Sequence, residues 1–291
     1  MKKENNAFYL TILMLISMLI WGGSWVSGKI VAGALPSETL TFWRFLITFI
    51  FLIPVAIYLK TPIRLPLKTS IYTLLGALLM GIYLYLFFKG LERGGAGASG
   101  VLVTTTMPVF TFALSAIFFK RKVAGKEALG LVFGLIGGAL LMKLWTLDSA
   151  RILSGGSAYL IIGALCWAAL TICSQKACEE ISPIVFNLVT CAFCAILFLV
   201  PALKHDIGAI FSLKTGFWLN MFYMAVISSA FATSVYFLAS SKLNAGRASS
   251  FAFVVPASAV LFGLIFLGEA PEPSTVIGGA IAIGATYVIN A

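Results

Sequence analysis

Five places in the sequence carry residue types at spacings that can do chemistry. Gly23-Ser-Trp-Val-Ser-Gly28-Lys29 spells most of a phosphate-binding loop, whose backbone N–H groups cradle phosphates while a lysine reaches them. Gly95-Ala-Gly97-Ala-Ser-Gly100 matches the dinucleotide fingerprint letter for letter. Cys191-x-x-Cys194 has a redox or zinc spacing, His205 stands beside Asp206, and Arg44 is a cation inside an apolar run. Context removes the first four. Ile30 follows Lys29 where Ser or Thr would hold a metal, and the stretch closes an apolar run instead of joining a strand to a helix. No strand precedes Gly95 and no acidic residue follows about 20 positions on, so that stretch reads as a tight turn and close helix contact. The neighbours of Cys191 and Cys194 are Ala, Phe and Ile, and all five cysteines read as buried, reduced packing residues. One histidine without a Cys or Glu cluster makes no metal site. No cofactor, metal or catalytic residue is therefore expected, and no nucleophile stands with a base beside it, as an enzyme would need.

What remains must be positioned by very apolar elements. Sixty per cent of the 291 residues are hydrophobic and only 10% are charged, against about 25% charged in soluble domains. Ten apolar runs, over 7–28, 38–59, 69–91, 97–119, 126–143, 157–177, 183–203, 216–240, 246–267 and 274–290, each approach the roughly 20 residues that cross a bilayer as a helix. The net charge of +10 sits in short gaps between these runs. It reads as orientation signal and lipid headgroup contact, not as a grip on nucleic acid. With the amino terminus in the cytoplasm, twelve Lys and Arg fall on the cytoplasmic side and seven on the other, which favours both termini inside. The first run is too long for a signal core and is read as a span.

The runs repeat. Pro36 and Pro183 are 147 apart, as are Pro54 and Pro201, and Gly137 and Gly284; Pro108 and Pro256 are 148 apart, as are Gly130 and Gly278. An offset near 147 along a whole half implies duplication. The predicted fold is an all-α integral membrane protein of ten transmembrane helices, arranged as two inverted five-helix repeats over residues 1–145 and 146–291. Five is odd, so the second copy enters the membrane from the opposite side, a device of transporters whose solute site lies where the halves meet.

These residues also resemble a family. Trp21-Gly22-x-Ser24 with Lys29, Pro36 with Arg44, Met107-Pro108-Val109-Phe110 and the Gly130 to Gly137 spacing are similar to the EamA type of the drug/metabolite transporter superfamily. The second half repeats them with Trp167, Pro183, Ala245-Gly-Arg-Ala-Ser249, Pro256, Gly268-Glu269 and Gly278. The resemblance implies two five-helix repeats and a small organic solute such as an amino acid, a related metabolite or a drug, commonly moved outward. The family usually ends its fourth and ninth spans with Glu; Glu269 keeps it, but Arg121 stands 148 positions earlier.

Polar and aromatic stripes at helical spacing mark the inward faces. They are Ser17, Trp21, Ser24 and Gly28; Gly76, Met80, Tyr83 and Phe87; Trp167, Thr171 and Ser174; and Ser229, Thr233, Tyr236 and Ser240. Interhelical hydrogen bonding and a cavity lining are both open readings of such stripes. The candidate solute-binding residues are Trp21, Ser24, Arg44, Tyr83, Thr104, Trp167, Thr171, Tyr236 and Ser249, with Pro108 and Pro256 as hinges. Arg44 either serves that cavity or snorkels to headgroups. Gly130, Gly134 and Gly138 are read as packing within the bundle before a homodimer contact. The expected function is secondary transport of small organic metabolites, amino acids or related amphipathic solutes, outward across the cytoplasmic membrane by alternating access; the alternative is a non-transporting membrane sensor or interaction protein with the same fold. The expected partners are the solute, membrane lipids and a second copy of the chain.

Overall fold

The computed structural model describes residues 2–143, 156–258, 261–262 and 272–291, and the side chains among them from Ala7 onward. Among these residues nine helices are long and apolar enough to cross a membrane. They are α1 (Lys2–Val31), α2 (Ser37–Tyr58), α3 (Leu67–Arg93), α4 (Ala96–Phe119), α5 (Gly125–Met142), α6 (Ser157–Ala177), α7 (Pro183–Ala202), α8 (Thr215–Leu243) and α10 (Pro273–Asn290). The remaining run begins as α9 (Ala245–Ser250) and passes through a 3-10 turn, Phe251–Val254, just before Pro256. The family-like Glu269 lies outside the described residues.

Local chemistry sets the ends. Pro36 and Pro66 stand just before α2 and α3, and Pro183 and Pro273 open α7 and α10, where a missing N–H costs nothing. Ser182 caps α7 by accepting from the Ile184 N–H at 3.3 Å. Asn244 caps α9 by accepting from the Arg247 N–H at 3.1 Å. Apolar side chains such as Ile57, Ile71, Ile117 and Ile196 stay exposed on the outer faces, as a lipid-facing surface requires.

The packing reproduces the repeat. Exchanging α1–α5 for α6–α10 converts the α3–α6 pair into α8–α1 and the α2–α8 pair into α7–α3, and all four are in contact. The pairs α2–α7, α4–α9 and α5–α10 map onto themselves and also pack together. The α5–α10 pair shows the inversion. Gly130 faces Ile289 and Ala285, while Gly137 faces Gly278 and Ala282, so the two helices run antiparallel. Equivalent helices that run antiparallel are related by an axis in the membrane plane.

Close approach at that axis depends on missing side chains. A Cβ on Gly137 would lie 2.8 Å from the Gly278 carbonyl, and one on Gly278 would lie 2.9 Å from the Gly137 carbonyl. Gly130, Gly134 and Gly138 meet Ile289, Phe253 and Thr105 of the same chain, so this stripe is spent on packing within the bundle. Gly137→Val should cost roughly 1–3 kcal/mol as overpacking against backbone, and should lower the melting temperature in detergent by several degrees. Gly284→Ala, whose new methyl meets nothing within 4 Å, should leave that temperature unchanged or raised.

Candidate functional site

The aromatic residues of the two repeats converge at mid-bundle. Trp21 of α1 and Trp167 of α6 meet edge to face with ring centroids 5.1 Å apart. Tyr83 of α3 lies 4.6 Å from Trp167, and Tyr236 of α8 lies 5.0 Å from Trp21. Each such pair contributes about 0.5–1.5 kcal/mol beyond area burial, so the cluster fixes the meeting of four helices.

Beside it is a cavity of about 40 Å³, room for a few waters. Trp21, Ser24 and Trp25 line it from α1, Arg44 from α2, and Tyr83 and Phe87 from α3. Thr104 and Met107 come from α4, Trp167 from α6, and Ser228, Ser229 and Thr233 from α8. Six of the sequence candidates are thus brought together: Trp21, Ser24, Arg44, Tyr83, Thr104 and Trp167. Thr171 and Tyr236 sit one layer behind, sharing a 2.9 Å hydrogen bond. Ser249 is buried in α9 and donates to its own Gly246 carbonyl at 2.8 Å. Pro108 is buried within α4, and its missing N–H leaves the carbonyl of Thr104, a cavity residue, without the usual helical donor.

Arg44 turns inward. It is 7% exposed, its Nε donates to Ser229 Oγ at 3.2 Å, and Nη1 reaches the Met224 sulfur at 3.7 Å. Its guanidinium lies 5.4 Å from the centre of the Phe87 ring. Among the described residues it has no ion pair with a carboxylate. A mid-membrane arginine costs about 2.5–3.5 kcal/mol on insertion scales, and the Phe87 face returns about 0.5–2 kcal/mol of that. Among the described residues the buried Trp167 indole N–H has no acceptor in hydrogen-bonding geometry.

The Ser228 and Ser229 side chains reach the cavity because α8 is wound as a π-helix over Tyr223–Ala232. The wide turn leaves carbonyls to be satisfied from elsewhere. Thr48 Oγ1 donates to the Ala225 carbonyl at 2.9 Å, and Asn187 Nδ2 donates to the Ser229 carbonyl and to Ser234 Oγ, both at 2.9 Å. The sequence shows the hydroxyls of α8 but carries no mark of the wide turn, and so Ser228 went unnoticed.

Both ends of the bundle are tied. At one, Lys29 donates to the Leu91 carbonyl at 2.6 Å, and Arg93 of α3 donates to the Tyr159 hydroxyl of α6 at 3.3 Å. At the other, Glu127 is 1% exposed; it pairs with Arg121, lies 3.9 Å from Arg247, and accepts from the Ala124 N–H at 3.0 Å. Arg121 also donates to Asn244 at 3.3 Å, which joins the α4–α5 connection to the start of α9. Glu127 is a second residue that sequence reasoning passed over. It stands in the first turn of α5, where sequence spacing alone does not show which basic side chains reach it.

Residues 9–143 and 154–291 match the EamA-like transporter family. Similar curated proteins include an uncharacterized transporter of Archaeoglobus fulgidus, 26% identical over 96% of both chains. Another is an uncharacterized transporter encoded in the trpA 3' region of Buchnera aphidicola, 27% identical over 84% of this chain and 81% of that one. A chloroplastic WAT1-related protein of Arabidopsis thaliana is 24% identical over 97% of this chain and 70% of that one. One solved crystal structure superposes with a TM-score of 0.75 at 17% identity, covering 96% of each chain, a likeness that speaks for the fold.

Asn187→Leu removes the donor to the Ser229 carbonyl in a place where water cannot replace it. The stranded carbonyl should cost about 1–3 kcal/mol, read as a lower melting temperature in detergent. Asn187→Asp, which cannot donate when ionised, should not restore it.

Proposed function

We propose that this chain, which belongs to the EamA-like transporter family, is a secondary transporter of small amphipathic organic solutes, amino acids or related metabolites, working by alternating access. That it is a multi-pass membrane transporter follows from the family and its apolar helices. The solute class, the outward direction and the mechanism are our reading. One observation carries it: a buried cavity at the junction of the two repeats, with α1–α4 of the first and α6 and α8 of the second all contributing walls. Inverted repeats that meet around a central site are suited to exposing it to either side in turn.

The walls suit an amphipathic guest. Indole and phenol rings supply apolar faces, while Ser24, Thr104, Ser228, Ser229 and Thr233 supply hydroxyls. At about 40 Å³ the cavity is far smaller than the roughly 300–1,000 Å³ of ordinary small-molecule sites. A solute must therefore displace Trp21 or Trp167 or part the helices, which suits a contracted, closed stage of the cycle. We place the protein in the cytoplasmic membrane with both termini inside, on the twelve-to-seven excess of basic residues.

Purified protein in sealed liposomes should move labelled amphipathic solutes without ATP. Trp21→Ala and Trp167→Ala should each slow that movement by about tenfold or more, since each removes a central aromatic anchor, while the variants still elute as folded protein. Failure of the wild-type chain to move any solute in either direction would overturn the reading. A fluorescent protein fused to the carboxyl terminus should light up in intact bacteria, and a periplasmic alkaline phosphatase fused there should stay inactive.

A further inference from the structure

We propose that the cavity takes a monoanion, with a single carboxylate on Arg44 and an apolar, preferably aromatic, body between Trp21, Tyr83 and Trp167. The proposal rests on the transporter reading and narrows its solute from amino acids and related metabolites to the related metabolites that carry a carboxylate without an ammonium. A guanidinium carries five N–H donors in a planar fork. In Arg44 one goes to Ser229 Oγ and one to the sulfur of Met224, a weak acceptor. Three donors remain, in a side chain that lines the cavity.

The charge around Arg44 decides the class of guest. Among the described residues the lining contains this one cation and neither Asp nor Glu. Its other polar members are hydroxyls of Ser, Thr and Tyr and the indole N–H groups of Trp21, Trp25 and Trp167. An anionic head gives Arg44 the counter-charge it lacks and meets the fork with two parallel hydrogen bonds. An ammonium gains no ion pair here. An indole face offers it only a weak cation–π attraction, which does not offset the loss of its hydration shell, and Arg44 repels it. A zwitterion therefore forfeits at its ammonium much of what it gains at its carboxylate. A phosphate monoester shares the head-group chemistry but, with a second pKa near about 6, brings a charge that one arginine leaves unbalanced.

Four ligands with one phenyl body separate these cases: 3-phenylpropanoate, phenylalanine, phenethylamine and phenyl phosphate. Binding to the purified full-length protein in detergent is measured by thermal shift and by competition at pH 7.5. The expected order places 3-phenylpropanoate first, phenyl phosphate next, phenylalanine weaker and phenethylamine without effect. Arg44→Gln should weaken 3-phenylpropanoate by about 10–100-fold, the loss of a charged hydrogen-bonding partner, and Arg44→Lys by less, since it keeps the charge without the fork. Phenylalanine or phenethylamine binding as tightly as 3-phenylpropanoate overturns the proposal, as does no binding of any of the four. Tighter binding of phenyl phosphate overturns the carboxylate assignment. The wild-type ranking stands without any variant, should Arg44→Gln fail to fold. Liposomes that carry uncharged or zwitterionic solutes while ignoring 3-phenylpropanoate would sink this proposal and leave the transporter reading intact; liposomes that carry nothing would sink both.

Discussion

Lipid offers no hydrogen-bond partners, and that single constraint explains most of what the polar groups of this chain do. Ser17, Thr104, Thr105, Thr111 and Thr171 each donate to the carbonyl four residues earlier in their own helix. Where the helix itself departs from regular winding, as in the π-helical part of α8, side chains from α2 and α7 supply the missing donors. Among the described residues the Thr39, Ser115 and Thr190 hydroxyls and the Trp167 indole N–H are buried without a partner, and Arg44 has donors to spare. Of these, Arg44 and Trp167 open on the same cavity.

The architecture was legible because its signals are long. Runs of apolar residues near the thickness of a bilayer mark the helices, and an offset near 147 relates Pro36 to Pro183 and Gly137 to Gly284. The offset also led from Trp21 to Trp167, which do meet. The site was only partly legible. Helical spacing says which residues share a face, but not which neighbour that face meets. Thr171 and Tyr236 lie on inward faces, yet they bond to each other behind Trp167 and not in the cavity. Ser249 answers to its own backbone. The π-turn of α8 and the buried pairing of Glu127 left no mark in the sequence, since both arise from contacts between segments far apart in the chain.

Duplication makes the frame symmetric, while the chemistry inside it is not. The position 147 after Arg44 is Cys191, and the position 148 before Glu269 is Arg121. The ionic tie of Arg121, Glu127 and Arg247 at one end of the bundle and the Lys29 and Arg93 contacts at the other use different groups. If the repeats alternate as proposed, the two ends need not open with equal ease.

Arg44, the one cation among the described residues that line the cavity, also ties the bundle to the voltage across the membrane. Moving one elementary charge through 100 mV exchanges about 2.3 kcal/mol. Any rearrangement that shifts Arg44 along the field is then biased by the membrane potential, and an anion seated on it cancels that bias. If Arg44 seats an anion as proposed, the empty and loaded protein would also answer differently to an electric field.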